Sequence, residues 1–368
     1  MSLIENIPRT SEENNTRYRA MAEMCSRYNL TPTRVDFPNP ALPLVIWGFS
    51  KEWVEGVFRQ YKGMHLIFIG NPAVYTEYVT CVISENTAGE IEKILTYLTR
   101  ADRKRIALIA PNRMHFDSIY FVRAFLAKAA EMGISISEED VFWDSGENEA
   151  DPLKPGMPIE SYNKFYQAHD RYDAVICYNT HSAIYLCARA KEDGIRVPED
   201  MYVIGRGDLQ LAGAVEPSIT TISCNEEEVG QQIVKLYRYL LSNPYVESAT
   251  ILLNPSITPR ESTKYFPAKM EKASVADALS AQRRIPSAVY QEIGMIETMF
   301  KNCTKMDLRI LNGLRQGVSR EKLAEQEFTT ISTVRYRLKC MLRLAGLENK
   351  KALFDILDKY NINVSAFM

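Results

Sequence analysis

Tyr172-Asp173-Ala174-Val175-Ile176-Cys177-Tyr178-Asn179 is a short apolar run that ends on a polar side chain, and Tyr202-Val203-Ile204-Gly205 repeats the form one helix's length further on. Neither run alternates apolar with polar positions, as a strand with one wet face would. An uninterrupted β-rich run is what a parallel strand buried on both faces requires. Working outward, the form recurs at Leu44-Val45-Ile46-Trp47, Leu66-Ile67-Phe68-Ile69, Val79-Thr80-Cys81-Val82-Ile83 and Arg105-Ile106-Ala107-Leu108-Ile109-Ala110. Helical spacing fills the intervals: Ile91, Ile94, Leu95 and Leu98 share one face, and Phe121, Phe125, Leu126 and Ala129 share another. Gly133 follows the second of these, where a left-handed C-cap suits glycine best. Strand and helix in alternation predict βαβ units and a doubly wound α/β fold. Ligands in such sheets bind at the carboxyl ends of the strands, which directs attention to Gly48-Phe49, Gly70-Asn71, Pro111-Asn112 and Asn179-Thr180-His181.

At 368 residues the chain is too long for one ordinary core, and 46% hydrophobic with 24% charged residues is a globular composition. No apolar run approaches the roughly 20 residues that span a bilayer. The first residues are polar, with Glu5, Glu12 and Glu13 and no apolar core of a secretory signal, so a cytoplasmic location is expected. Seven scattered cysteines without a C-x-x-C pair read as buried free thiols rather than disulfides or zinc ligands. The other histidines, His65, His115 and His169, stand apart from any carboxylate or thiol at metal-ligand spacing, so no metal and no cofactor is expected. With no G-x-S-x-G, P-loop or H-E-x-x-H present, neither is enzymatic activity.

Charge is unevenly placed. The chain as a whole carries −2, whereas residues 301–368 hold 13 Lys and Arg against 7 Asp and Glu, a net of +6 that leaves −8 on the rest. A basic segment on an acidic body predicts a polyanionic partner for that segment. Residues 268–284 are poor in large apolar groups and read as a linker. The stripe Val289, Ile293, Ile296 and Phe300 suits a connecting or dimerising helix, and the pattern from Asp307 onward is all-helical.

Several ordered motifs resemble the effector domains of the LacI/GalR family. Glu85-Asn86-Thr87-Ala88-Gly89, then a helix, then Arg103-Lys104-Arg105-Ile106-Ala107-Leu108-Ile109 is similar to D-N-x-A-G followed by H-R-R-I-A-x-I. Tyr172 to Asn179 resembles P-D-A-V-x-A-x-N-D. Gly194-Ile195-Arg196-Val197-Pro198-Glu199-Asp200 through Gly205 resembles G-x-x-V-P-E-D-V-S-V-V-G. Pro217-Ser218-Ile219-Thr220-Thr221-Ile222 and Arg260-Glu261-Ser262-Thr263 complete the series. The resemblance implies two α/β lobes over residues 1–263, joined by three crossovers around a small-molecule cleft. By the family's order the first lobe takes about 1–84 and 223–248, and the second about 85–222 and 249–263. No clear strand is legible before the helix Arg17–Tyr28.

The departures bear on the ligand. Where the family's sugar binders place an arginine and an aspartate to grip hydroxyl groups, this chain has Phe121 and Gly207. Asn179, Thr180, His181, Phe121, Arg206 and Phe49 are the candidate ligand contacts, and the effector is expected to be other than a typical sugar, unless the cleft has lost ligand binding.

The segment 264–300 is expected to link and connect, and 301–368 to read DNA. Thr304-Lys305-Met306-Asp307-Leu308-Arg309-Ile310-Leu311 through Gly317-Val318-Ser319, then Glu321-Lys322-Leu323-Ala324, Ser332-Thr333-Val334-Arg335-Tyr336-Arg337-Leu338 and Gly346-Leu347-Glu348-Asn349-Lys350, resembles LuxR-type helix-turn-helix domains without a gap. Thr329-Thr330 would cap the recognition helix, with Val334, Leu338 and Met341-Leu342 buried. Ser332, Arg335, Tyr336 and Lys339 would then face outward, as entry into a major groove requires. The resemblance implies base contacts from Arg335, Tyr336 and Lys339 and phosphate contacts from Arg337 and Arg343. Glu327 and Thr329 occupy positions that are usually apolar. The expected protein is therefore a ligand-responsive, homodimeric regulator of double-stranded DNA. The alternative is a small-molecule-binding or sensory module that does not bind DNA.

Overall fold

The computed structural model describes residues 1–6, 16–48, 51–70, 81–110, 116–143, 159–264 and 288–368. Two six-stranded sheets organise those up to residue 264. The first sheet is assembled from β1 (Ser2–Asn6), β2 (Thr33–Arg34), β3 (Leu44–Gly48), β4 (Leu66–Ile69), β5 (Cys81–Glu85) and β11 (Ala249–Leu253), in the order β11-β5-β4-β3-β1-β2. Every pairing in it is parallel. The second sheet takes β6 (Ile106–Ala110), β7 (Val141–Trp143), β8 (Ala174–Cys177), β9 (Tyr202–Arg206), β10 (Thr220–Ser223) and β12 (Ser256–Thr258), in the order β12-β10-β9-β8-β6-β7. Only the edge strand β12 runs antiparallel to its neighbour.

Helices cover both faces of each sheet, and this is why the strands read as continuous apolar runs. On the first sheet, α1 (Thr16–Ser26) and α7 (Glu226–Ser242) bury Met21, Cys25, Val229, Ile233 and Tyr237 on one side, while α2 (Lys51–Gln60) packs Val54 and Phe58 on the other. On the second, α3 (Thr87–Arg100) and α4 (Phe116–Glu131) form one layer. The opposite layer is α5 (Ile159–Gln167) and α6 (Thr180–Glu192). The chain crosses between sheets after β5, after β10 and after β11.

Two expectations are corrected here. β1 precedes the first helix, where no strand was legible. It carries a single short Leu3-Ile4 pair flanked by polar residues, too little for a pattern, and owes its order to parallel neighbours on both sides. Residues 249–253 do not belong with the second lobe. They pair with β5 over five residues, so the last crossover falls after Leu253 and only β12 and the turn at Glu261–Thr263 return to the second sheet. As an edge strand, β11 buries little beyond Leu253, and it shows none of the unbroken apolarity of its neighbours. All seven cysteines are free thiols; five are buried and Cys303 and Cys340 partly so.

Beyond the sheets, α8 (Ala288–Asn302), α9 (Lys305–Arg315), α10 (Arg320–Gln326), α11 (Ile331–Leu344) and α12 (Lys350–Lys359) form an all-helical unit. Its core is continuous with that of the second lobe: Ile293, Ile296, Met299 and Phe300 share one apolar cluster with Ala183, Ile184, Leu211 and Ala212. Of the two readings of this stripe, connecting or dimerising, the first holds for Ile293, Ile296 and Phe300, which are spent inside the chain; the Val289 side chain lies outside the described residues.

Candidate functional site

The carboxyl ends of β8 and β9 meet the start of α6 and α3. Asn179 is the N-cap of α6, in extended backbone, and its side-chain oxygen accepts from the Ser182 amide at 2.8 Å. Thr180 is buried, and its hydroxyl is bonded to the Arg206 carbonyl at 2.9 Å and close to that of Gly207, which pins α6 to the loop after β9. That close approach explains Gly205, because a Cβ there would meet Thr180 Oγ1 at 2.8 Å.

Arg206 is the dominant charge at this edge. Its Nε donates to Glu90 Oε1 at 2.6 Å and its Nη2 to Oε2 at 3.0 Å, a two-pronged pair, with Glu85 3.6 Å away. The guanidinium lies 4.1 Å from the Phe121 ring centre and 4.8 Å from that of Tyr178, and the two rings meet edge to face. Burial alone would weaken its charge, but Glu90, Tyr178 and Glu85 together hold it firmly protonated. Phe121 is 1% exposed, so it meets the cleft through the guanidinium that covers it.

Among the sequence-derived candidates, then, Asn179 and Arg206 stand at the carboxyl edge of the second sheet, and Thr180 and Phe121 are buried beside them. Phe49 lies outside the described residues. His181 follows Thr180 in the first turn of α6, and burial, aided by the charge of Lys301 on α8, pushes its pKa down to about 4. Sequence reasoning missed Glu90. The available signal was an acid in the first turn of α3, directly ahead of the apolar stripe that begins at Ile91.

In the helical unit the capping signals all form. Thr304 and Asp307 make a reciprocal capping box on α9, while Ser319, Thr330 and Asn349 cap α10, α11 and α12 through their side chains. Ala324 is buried at the crossing, and any side chain at Gly313 would run into Leu323. Val334, Leu338 and Met341 bury one stripe of α11, whereas Ser332, Arg335, Tyr336, Lys339 and Arg343 are exposed on the others. Tyr336 is 67% exposed. The polar Glu327 is held by a two-pronged pair with Arg309 at 2.8 and 2.7 Å.

Arg337 departs from its expected role. It donates to Asp307 Oδ1 at 3.0 Å and reaches Thr304 at 3.3 Å, so it fastens α11 to the cap of α9 rather than standing free for a phosphate. Burial would raise the Asp307 carboxyl, but hydrogen bonds from Thr304 and Arg337 outweigh it and hold it below the ordinary range.

Residues 95–263 match the family model of the periplasmic binding protein-like domain. The two-sheet unit has that fold. Chain comparisons agree: the HTH-type transcriptional repressor PurR of Vibrio cholerae serotype O1 (strain M66-2) is 26% identical over 168 residues, which cover 46% of this chain and 48% of that protein. The arabinose metabolism transcriptional repressor of Geobacillus stearothermophilus is 25% identical over 214 residues, 57% of each chain. The chain spans about half the length of the curated relatives it matches. A regulatory protein of the LacI family from Chloroflexus aggregans superposes with a TM-score of 0.57 at 15% identity, over 72% of this chain and 99% of that one. The residues matched by the family model end at 263, ahead of α8 to α12.

Proposed function

We propose that the chain is a transcription regulator that reads double-stranded DNA through a LuxR-type helix-turn-helix at residues 301–368, in response to a small molecule held between its two lobes. The observation that supports this reading best is α11. One stripe of the helix is buried, its N-terminus is capped, and Arg335, Tyr336, Lys339 and Arg343 are left exposed on its other faces. A helix that spends its apolar side on its own domain and offers cations and an aromatic to solvent has the form needed in a major groove. Exposed Lys305, Arg320, Lys322, Lys350 and Lys351 add positive charge for backbone phosphates. The division into a sensor over 1–263, a connecting segment over 264–300 and a head over 301–368 belongs to this proposal. So do the homodimer and the cytoplasmic setting; among the described residues, no helix is long and apolar enough to cross a membrane.

For the cleft, the same reading favours an effector other than a free hexose. Phe121 and Gly207 supply no charged grip for hydroxyl groups, and Arg206, which could have done so, is held by Glu90. PurR and the arabinose repressor are repressors by name, and repression is the corresponding proposal here. Selection of duplexes from a random pool by the full chain tests the reading. Enrichment of one motif, abolished by combined Arg335→Ala and Lys339→Ala, is the expected result. A chain that enriches nothing at low salt is instead a sensory module without DNA binding.

A further inference from the structure

The loop that leaves the cleft edge runs straight into the helical unit. Arg206 ends β9, and four residues later begins a short 3₁₀ turn, Gln210–Gly213, whose preceding residue, Leu209, offers no side-chain cap. The cap comes from far along the chain. Glu297 of α8 accepts from the Gln210 amide through Oε1 and from the Leu211 amide through Oε2, each at 2.9 Å. Glu297 is 4% exposed, and its carboxylate has Lys301 Nζ 3.3 Å away. Two charge-assisted bonds to one buried carboxylate fix both position and orientation. Around this point the contact continues, with the Asn363 amide donating to the Ala214 carbonyl at 2.6 Å and Lys191 to Asn361 at 2.7 Å. The shared apolar cluster lies beneath.

We infer that Glu297 is a positioning residue that carries displacement of the Arg206 loop into the helical head, so that the head travels with the second lobe rather than hanging from a free linker. The inference rests on the reading of α9 to α12 as the DNA-contacting unit for its consequence, though not for its geometry. Arg206 is clamped at its side chain by Glu90 and at its carbonyl by Thr180. Asp208, two residues on, is held by Arg260 at 2.9 Å and Thr221 at 2.8 Å. Little slack separates these anchors from the amides that Glu297 holds. A ligand that draws Arg206 or Glu90 toward the first lobe must therefore move the 3₁₀ turn, and with it α8.

The full chain tests this in a double-variant cycle of Arg206→Ala with Glu297→Ala, read by amide exchange in α8 and α9 and by affinity for a duplex selected by the full chain. Arg206→Ala is expected to speed exchange in α8 at least threefold and to change duplex affinity threefold or more. In the Glu297→Ala background the same replacement should add less than 1.5-fold to either. Glu297→Gln, which keeps one acceptor, should fall between. A merely structural Glu297 would lower the melting temperature yet leave the Arg206 effect unaltered, and equal effects in both backgrounds overturn the inference. Should Glu297→Ala lose its helical signal, Glu297→Gln takes its place in the cycle; a reduced Arg206 effect in that background supports the inference, and one as large as in the parent chain overturns it. If no duplex is selected, the DNA reading fails while the exchange arm still decides the coupling.

Discussion

The carboxyl edge of the second sheet and the outer face of α11 both hold arginine close to tyrosine, and they use the combination in opposite ways. At the sheet edge Arg206 is enclosed by Phe121, Tyr178 and Glu90, its charge met within the chain. On α11, Arg335 and Tyr336 stand in solvent because Val334 and Leu338 occupy the buried stripe. A charge satisfied inside the protein stabilises one conformation, whereas a charge held outward by a buried stripe is available to a partner. Arg337 shows both principles within a single helix: two residues from Arg335, it is turned inward to Asp307.

The comparison breaks most sharply at Glu90. Removing one member of a buried, two-pronged pair leaves the other charge uncompensated, which costs about 3–5 kcal/mol. Glu90→Ala is expected to lower the urea midpoint accordingly, while Arg335→Ala leaves it within about 0.5 kcal/mol. If the two variants unfold alike, Arg206 is not held as the geometry indicates.

Arg335 gives the converse. If its guanidinium reads a base, Arg335→Ala should weaken the selected duplex by about 1–3 kcal/mol and relax preference at one base pair, with no change in the melting temperature. Uniform weakening across all duplexes would instead assign Arg335 to the phosphates.

His181 stands in the first turn of α6, and its charge is sensed by Lys301 of α8. Its native pKa of about 4 lies below the ordinary 6.5, so the native state binds fewer protons than the unfolded chain in that interval. Stability is therefore complete above about pH 6.5 and declines as pH falls toward 4. The loss attributable to this half-buried ring is about 1–2 kcal/mol. Guanidinium unfolding at pH 7 and pH 5 should show a smaller difference in His181→Gln than in the parent chain. Going no lower than pH 5 keeps the carboxylates with lowered pKa, such as Asp307 and Glu327, largely out of the comparison.

Much of this was legible in the sequence, for reasons that differ by region. The strands of the second sheet are buried on both faces, so Ile106–Ala110 and Ala174–Cys177 announce themselves as unbroken apolar runs. Strands β1 and β11 do not, because one owes its order to its two neighbours and the other lies at an edge with alternating exposure. In the head, the caps Thr304, Ser319, Thr330 and Asn349 are local signals, and local signals survive translation into structure. The pairs Arg206–Glu90 and Glu297 with Gln210 and Leu211 join residues 116 and 87 or 86 positions apart. Nothing in spacing reveals such partners. A polar residue on or beside an apolar stripe, as Glu90 and Glu297 both are, was the one available hint.

The smallest expected effect concerns Arg343, which separates charge that positions from charge that specifies. It is exposed in the last turn of α11, beyond Lys339 and near the end of the helix. A helix entering a groove with its N-terminal half against the bases leaves its last turn nearer the backbone, where a guanidinium meets phosphate oxygens and no base edge. Each neutralised phosphate contributes about −0.9 to the slope of log affinity against log salt. Arg343→Ala should therefore reduce the magnitude of that slope by about 1, weaken selected and unselected duplexes by the same few-fold factor, and leave the enriched motif unchanged. Titrations of both duplexes from low to physiological salt measure all three quantities. A slope unaffected by the replacement would place Arg343 away from the DNA, and a loss confined to the selected duplex would move it to the base-reading set with Arg335.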